Sequence, residues 1–234
     1  MRKCLLFLAL ISSLTVAAQA KTIAVNFAAE EPDGARSDVL GPAGVFGTPN
    51  WNNLDGPEGN ISRLVDDLGD VTSVSVEWAA HDDWSSTGRG EENNIAHPGN
   101  DRNLMTGYLD TADISTTTVT VSGLGDEFTT NGYEVLLYIT GGVIGRGGSY
   151  TIGSETQTHI DTDPFDGTYI LGETGNYLVF QGLTADSFTL EATPTTPDLF
   201  RAPINAIEIN AIPEPATLIL LGLGSLTMLR RKRK

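Results

Sequence analysis

Cysteine is nearly absent from this sequence. The only one, Cys4, stands at the extreme N-terminus of 234 residues, so the rest of the chain has no disulfide, no thiolate metal site and no cysteine nucleophile. The fold must stand on a packed core alone. Basic side chains are almost as scarce: from Lys21 to Ala211 seven Lys and Arg face 29 Asp and Glu, a formal charge of −22. A domain this acidic repels DNA, RNA and anionic membrane surfaces, which excludes nucleic acid as a partner. It suits a salty or calcium-containing exterior. Histidine is sparse too. His81, His97 and His159 form no H-x-E or H-E-x-x-H arrangement, and no serine sits in a G-x-S-x-G elbow, so the common metal-hydrolase and serine-hydrolase signatures are missing. The stretch "GGVIGRGGSY" (141–150) lacks the G-x-x-x-x-G-K-[ST] phosphate loop and reads as a flexible turn.

Long apolar runs occur only at the two ends. Arg2 and Lys3 precede an apolar stretch from Leu5 to Leu14, followed by Ala18-Gln19-Ala20, the small-x-small pattern that signal peptidase cuts after. Residues 1–20 therefore read as a signal peptide with a signal helix, and the finished chain would begin at Lys21. At the other end Pro213-Glu214-Pro215 is followed by an apolar run and then by Arg230, Arg231, Lys232, Arg233 and Lys234. That run, Ala216 to Leu229, is short, and even counted from Ile212 the segment makes only 18 residues, near the lower limit for a transmembrane helix. The basic cluster would hold the end of that helix on the cytoplasmic side. Proline on both sides of Glu214 keeps the stretch extended and outside the following helix.

Three parts in this order resemble a PEP-CTERM sorting signal over 212–234, the tail recognised by exosortases in Gram-negative bacteria that make extracellular polysaccharide. The resemblance implies an exported protein that meets signal peptidase and then an exosortase. The apolar helix would be a temporary anchor in the inner membrane, cut near the Pro-Glu-Pro triplet, and the product would reach the cell surface or extracellular matrix. A plain permanent anchor is the alternative.

Between these ends, residues 21–211 read as one mainly β domain. Short β-rich runs such as "TIAVNFA", "VTSVSVEWA", "TTTVTVSGL", "YEVLLYI", "NYLVFQGL" and "INAIEIN" recur between Gly, Pro, Asn and Asp breaks. Val74, Val76 and Trp78 share one face, opposite Ser73, Ser75 and Glu77, as in a half-buried antiparallel strand. Many short strands argue for an antiparallel β-sandwich or jelly roll. One short helix is expected over 60–69, from Ile61, Leu64, Val65 and Leu68 at helical spacing, with Asn60 as N-cap and Gly69 past the end. "AVNFA", "NWNNLDG", "NDRNLMTGYLD" and "RAPINAIEI" make the domain similar to galactose-binding-like jelly rolls. That resemblance implies a scaffold without implying catalytic residues, and it places Ile23–Phe27 beside Ile207–Ile209.

Sugars bind by stacking on Trp or Tyr while polar side chains bond their hydroxyls. Two stretches offer this: Trp51 with Asn52 and Asn53, and Trp84 with Asp82, Asp83 and Arg89. Each tryptophan would otherwise cap the sandwich core. Asp161, Asp163 and Asp166 in "DTDPFDG" offer oxygen ligands for a structural Ca²⁺, or form an ordinary acidic turn; their spacing departs from an EF-hand loop. Paired carboxylates are too abundant for sequence to single out a glycosidase pair. The reading is a non-catalytic β-sandwich that binds or organises extracellular polysaccharide. Its rivals are a structural acidic matrix component bridged by cations, and a polysaccharide hydrolase or lyase, which needs a buried acid of raised pKa beside a second carboxylate.

Overall fold

The computed structural model describes residues 20–91, 98–111, 115–195 and 201–213. The expected signal helix, with Ala18, and the tail helix, with Glu214, Pro215 and the five terminal basic residues, lie outside them. Residues Ala20–Ile212 form one compact unit; of the second unit only Pro213 is described. Among the described residues no helix is long and apolar enough to cross a membrane.

In chain order the first seven strands are β1 (Thr22–Ala28), β2 (Trp51–Asp55), β3 (Glu58–Ser62), β4 (Ser75–Ala79), β5 (Asp82–Ser85), β6 (Gly107–Asp110) and β7 (Thr117–Ser122). They are followed by β8 (Tyr133–Tyr138), β9 (Gly147–Ile152), β10 (Glu155–Ile160), β11 (Tyr177–Leu183), β12 (Ser187–Pro194) and β13 (Ala206–Ala211), with helix α1 (Asn100–Thr106) just before β6 and helix α2 (Gly125–Thr129) before β8. One sheet runs β11-β8-β13-β1-β2 and the other β10-β9-β12-β7-β4-β3, while β5 and β6 form a separate ribbon. Pairing is antiparallel except between β1 and β2.

Period-two alternation sends one face of each strand inward. Val25, Phe27, Val135, Leu137, Phe180, Ile207 and Ile209 from the first sheet share one core with Val76, Trp78, Val119, Val121, Tyr150 and Leu190 from the second. The second sheet's outer face is solvated and lined with hydroxyls, as in the Thr120–Thr189 pair at 2.9 Å. The first sheet is covered on both faces. Ala24, Trp51, Leu136, Tyr138 and Ala206 pack outward against Val39, Ala43, Phe165 and the buried Leu104 and Met105 of α1. This double burial explains why Val135, Leu136, Leu137 and Tyr138 of β8 are apolar and buried in succession instead of alternating. The expected contact of first and last strands is present, with Ile23 opposite Ile209 and Val25 opposite Ile207.

The helix expected over 60–69 is not there. Asn60, Ile61 and Ser62 lie in β3, with Ile61 opposite Val76 on β4. Arg63 then takes the left-handed region at φ 67, and Val65 bridges Val71 around a turn in which Asp66 Oδ1 accepts from the backbone N–H of Leu68 and Asp70. Only Leu64 of the four apolar residues is fully buried; Ile61 and Leu68 are exposed. Four residues at helical spacing were too few to outweigh a strand partner. The two short helices fall elsewhere.

Candidate functional site

The β5–β6 ribbon collects four side chains on one face. Its register sets Asp82 opposite Asp110 and Trp84 opposite Tyr108, and alternation puts these four on one side and Asp83 with Leu109 on the other. Carboxylates directly opposite each other across a strand pair are destabilising, and local choices that oppose stability concentrate at functional sites. Hydrogen bonds anchor the ribbon to the lead-in of β13: Leu109 and Ile204 exchange backbone bonds at 2.9 and 3.2 Å, and the Asn205 side-chain amide donates to the Gly107 carbonyl at 2.9 Å.

The four residues line a cavity of about 150 Å³, which His81, Glu91, Arg146 and Arg201 complete. Arg146 arrives from the glycine-rich loop between β8 and β9, where Gly142 and Gly145 take positive φ (71° and 87°). That loop is held by Asp161, whose backbone donates to the Arg146 carbonyl and accepts from the Gly145 N–H, each at 2.7 Å. Arg201 precedes β13 and donates to the Thr111 carbonyl at 2.9 Å. Asp82 and Trp84 also line a second, wider cavity of about 550 Å³, together with Asp83, Arg89, Asp55, Glu30 and Glu31.

Asp110 is only 5% exposed. Its Oδ2 lies 3.0 Å from Arg201 Nε, whereas Oδ1 is buried and finds no hydrogen-bond partner among the described residues. Burial pushes this carboxyl up to about 7, with Arg201 and Arg146 pulling it back and the charges of Asp82 and Glu91 adding to the rise. Tyr108 is wholly buried, and burial, then the Asp110 charge, holds its phenol well above the usual value. Its hydroxyl accepts from Arg146 Nη1 at 3.2 Å. Arg146 also donates to the Gly141 carbonyl and lies 3.6 Å from Glu91. On the ribbon's other side, burial and then the Asp82 charge raise Asp83. Arg89 rests its guanidinium 3.9 Å from the centre of the half-buried Trp84 ring, a cation–π contact.

Asp82, Asp83, Trp84 and Arg89 are thus brought together. Trp51, Asn52 and Asn53 are not part of that cluster, and their assignment to sugar contacts is corrected: Trp51 is buried in β2, packs on Tyr138 and donates to the Thr48 carbonyl at 2.7 Å. The Asn52 amide bonds Ala24 and Val65, and Asn53 bonds Asn26 and Val39. These amides pin loops to the sheet. The calcium reading of Asp161, Asp163 and Asp166 is corrected as well. Asp161 is buried and accepts from Thr140 at 3.0 Å, whereas Asp163 and Asp166 are exposed, Asp166 accepting from the Thr168 N–H. Among the described residues no group of three or more His, Cys, Asp or Glu is placed to hold a metal.

Sequence reasoning missed Tyr108, Asp110, Glu91, Arg146 and Arg201. One signal was available. Only seven basic residues lie between Lys21 and Ala211, and three of them, Arg89, Arg146 and Arg201, line these two cavities.

With the geometry in place, comparison with known proteins adds a finding about the tail. Residues 211–234 match the PEP-CTERM protein-sorting motif. Over those residues the chain carries a PEP-CTERM sorting signal. The motif implies sorting by an exosortase and export toward the cell surface. No curated protein and no solved structure matches the chain. The residues that line the two cavities all precede the motif, so the chemistry of the cleft is argued from those residues alone.

Proposed function

We propose that this exported protein binds extracellular polysaccharide through its β-sandwich, without catalysing a reaction, at the cleft around Trp84. The observation that carries the reading is Trp84 itself, a half-buried indole bordering two cavities and flanked by carboxylates and arginines. An aromatic face takes the C–H face of a sugar ring, and the ionised groups bond its hydroxyls. In this reading residues 1–20 are a signal peptide removed on export. The tail helix is a transient inner-membrane anchor released near Pro213-Glu214-Pro215, and residues 21–211 are the jelly-roll-like domain delivered to the surface or matrix of a Gram-negative cell. The pairing of β1 with β13 supports that fold type.

The test is retention of the purified chain on neutral, acidic and basic polysaccharides, with and without calcium, for the wild type and Trp84→Ala. Selective retention lost in the variant supports the reading. Equal retention of both, or association that appears only with calcium, refutes it in favour of a cation-bridged matrix component.

Asp110 favours a second reading, polysaccharide hydrolysis. It is a buried acid raised to about 7 with Asp82 and Glu91 in the same cavity, as a proton donor beside a second carboxylate would be. The ion pair with Arg201 opposes it by stabilising the ionised form. Release of reducing ends by the wild type and its loss in Asp110→Asn would establish this reading over simple binding.

A further inference from the structure

The two cavities differ from a general sugar cleft in their charge. Five carboxylates, Glu30, Glu31, Asp55, Asp82 and Asp83, line the wider one against a single arginine, Arg89. Arg36, which pairs with the lining residue Asp55 at 2.8 Å, is also committed to Asp38 at 3.2 Å. In the narrower cavity Arg146 is taken up by Glu91, Tyr108 and the Gly141 carbonyl, and Arg201 by Asp110 and the Thr111 carbonyl. Neither arginine is held out to an incoming anion.

A second, independent observation points the same way. Asp110 is 95% buried by its 5% exposure, borders the narrower cavity, and leaves Oδ1 without a hydrogen-bond partner among the described residues. A buried carboxylate oxygen requires a donor. The group that meets both the unpaired acceptor and the surplus of carboxylates is a positively charged donor.

Trp84 shows how such a group would sit. Its ring already carries the Arg89 guanidinium at 3.9 Å, so the face is one on which a cation is stable. Sugar rings bearing ammonium groups combine the apolar C–H face that stacks on indole with the charge the carboxylates call for.

We propose that the cleft takes a cationic glycan, an oligosaccharide of unacetylated amino sugars, which replaces Arg89 on Trp84 and donates toward Asp110 Oδ1. This inference rests on the glycan-binding reading above and deepens it by naming the ligand class. It inverts the role of Arg89. In a neutral or acidic glycan site Arg89 would bond the ligand, whereas here it competes with it.

The experiment is calorimetric titration of the purified full chain with four probes: a glucosamine oligomer, the matching N-acetylglucosamine oligomer, an oligogalacturonate and an oligolysine. The glucosamine oligomer is expected to bind, more weakly as salt is raised, and the oligogalacturonate to give no heat. Asp83→Asn is expected to weaken binding about five-fold, the loss of one partly screened charge contact. Arg89→Ala is expected to tighten it a few-fold by removing the competing cation. Binding of the neutral or acidic oligomer in preference to glucosamine, or weaker binding in Arg89→Ala, overturns the cationic inference and leaves glycan binding intact. Oligolysine binding as well as glucosamine assigns the cleft to basic peptides and overturns both, as does the absence of binding to any probe.

Discussion

Replacing Glu208 by Gln should remove a loss of stability that the wild type suffers as pH rises toward neutral. Glu208 sits mid-strand in β13 between Ala24 on β1 and Leu136 on β8, with no exposed surface. Its two oxygens accept from the Thr48 and Tyr138 hydroxyls. Burial pushes the carboxyl from 4.5 up to about 7; the two hydrogen bonds lower it by less, and Glu134 adds to the rise. A carboxyl whose folded pKa is raised holds its proton more tightly when folded. Its contribution to stability is complete below about pH 4.5 and is lost as pH rises through about 7. Over that interval, at about 1.4 kcal/mol per pH unit, the loss reaches about 3 kcal/mol. Glutamine cannot ionise and keeps a donor and an acceptor for the two hydroxyls, so the variant escapes the loss. Urea unfolding of both proteins at about pH 4.5 and about pH 8 should show the stability difference moving in favour of Gln by about 3 kcal/mol. A difference that does not change with pH would refute the reasoning, and one that moves in favour of Glu would reverse it.

Further predictions concern the tryptophans, a histidine and a glycine. Trp51→Ala should cost about 3–5 kcal/mol in denaturant unfolding, because the indole is buried against Tyr138, while Trp84→Ala should cost under about 1 kcal/mol and abolish polysaccharide retention. His159 is held neutral: burial lowers it from 6.5 to about 4, against the raising effects of the Gly175 carbonyl and Glu173. Here the unfolded chain takes the proton first, so stability falls by up to about 3 kcal/mol as pH drops from about 6.5 to about 4, and acid unfolding of His159→Gln should lack that component. Gly59→Ala should cost about 1–3 kcal/mol, since an added Cβ would lie 2.5 Å from the Trp78 ring in the facing strand; unchanged thermal unfolding would count against the packing described.

Much of the sandwich was legible because its strands bury apolar side chains in a plain rhythm. Val74, Val76 and Trp78 all face inward, as alternation required, and Ile23–Phe27 lies beside Ile207–Ile209. The ribbon was not legible. "DDWS" and "GYLD" are four residues each, half polar, and apart from the Leu109–Ile204 bridge they pair with each other and with neither main sheet, so neither composition nor length marks them as strands. Their partnership, which sets Asp82 against Asp110, is a long-range fact that no local pattern carries. Trp51 was misplaced for the converse reason. Asparagines around it suggested a loop, yet their amides serve as backbone clamps for neighbouring segments. Arg146 was hidden in a glycine-rich stretch whose positive φ angles present it to the cleft.

Glycan binding at the β5–β6 ribbon would be read by amide hydrogen exchange with and without a retained polysaccharide. The account predicts slowed exchange at residues 82–85 and 107–110, with residues 51–55 of β2 unchanged. Protection elsewhere on the sandwich, with the ribbon unaffected, would contradict it.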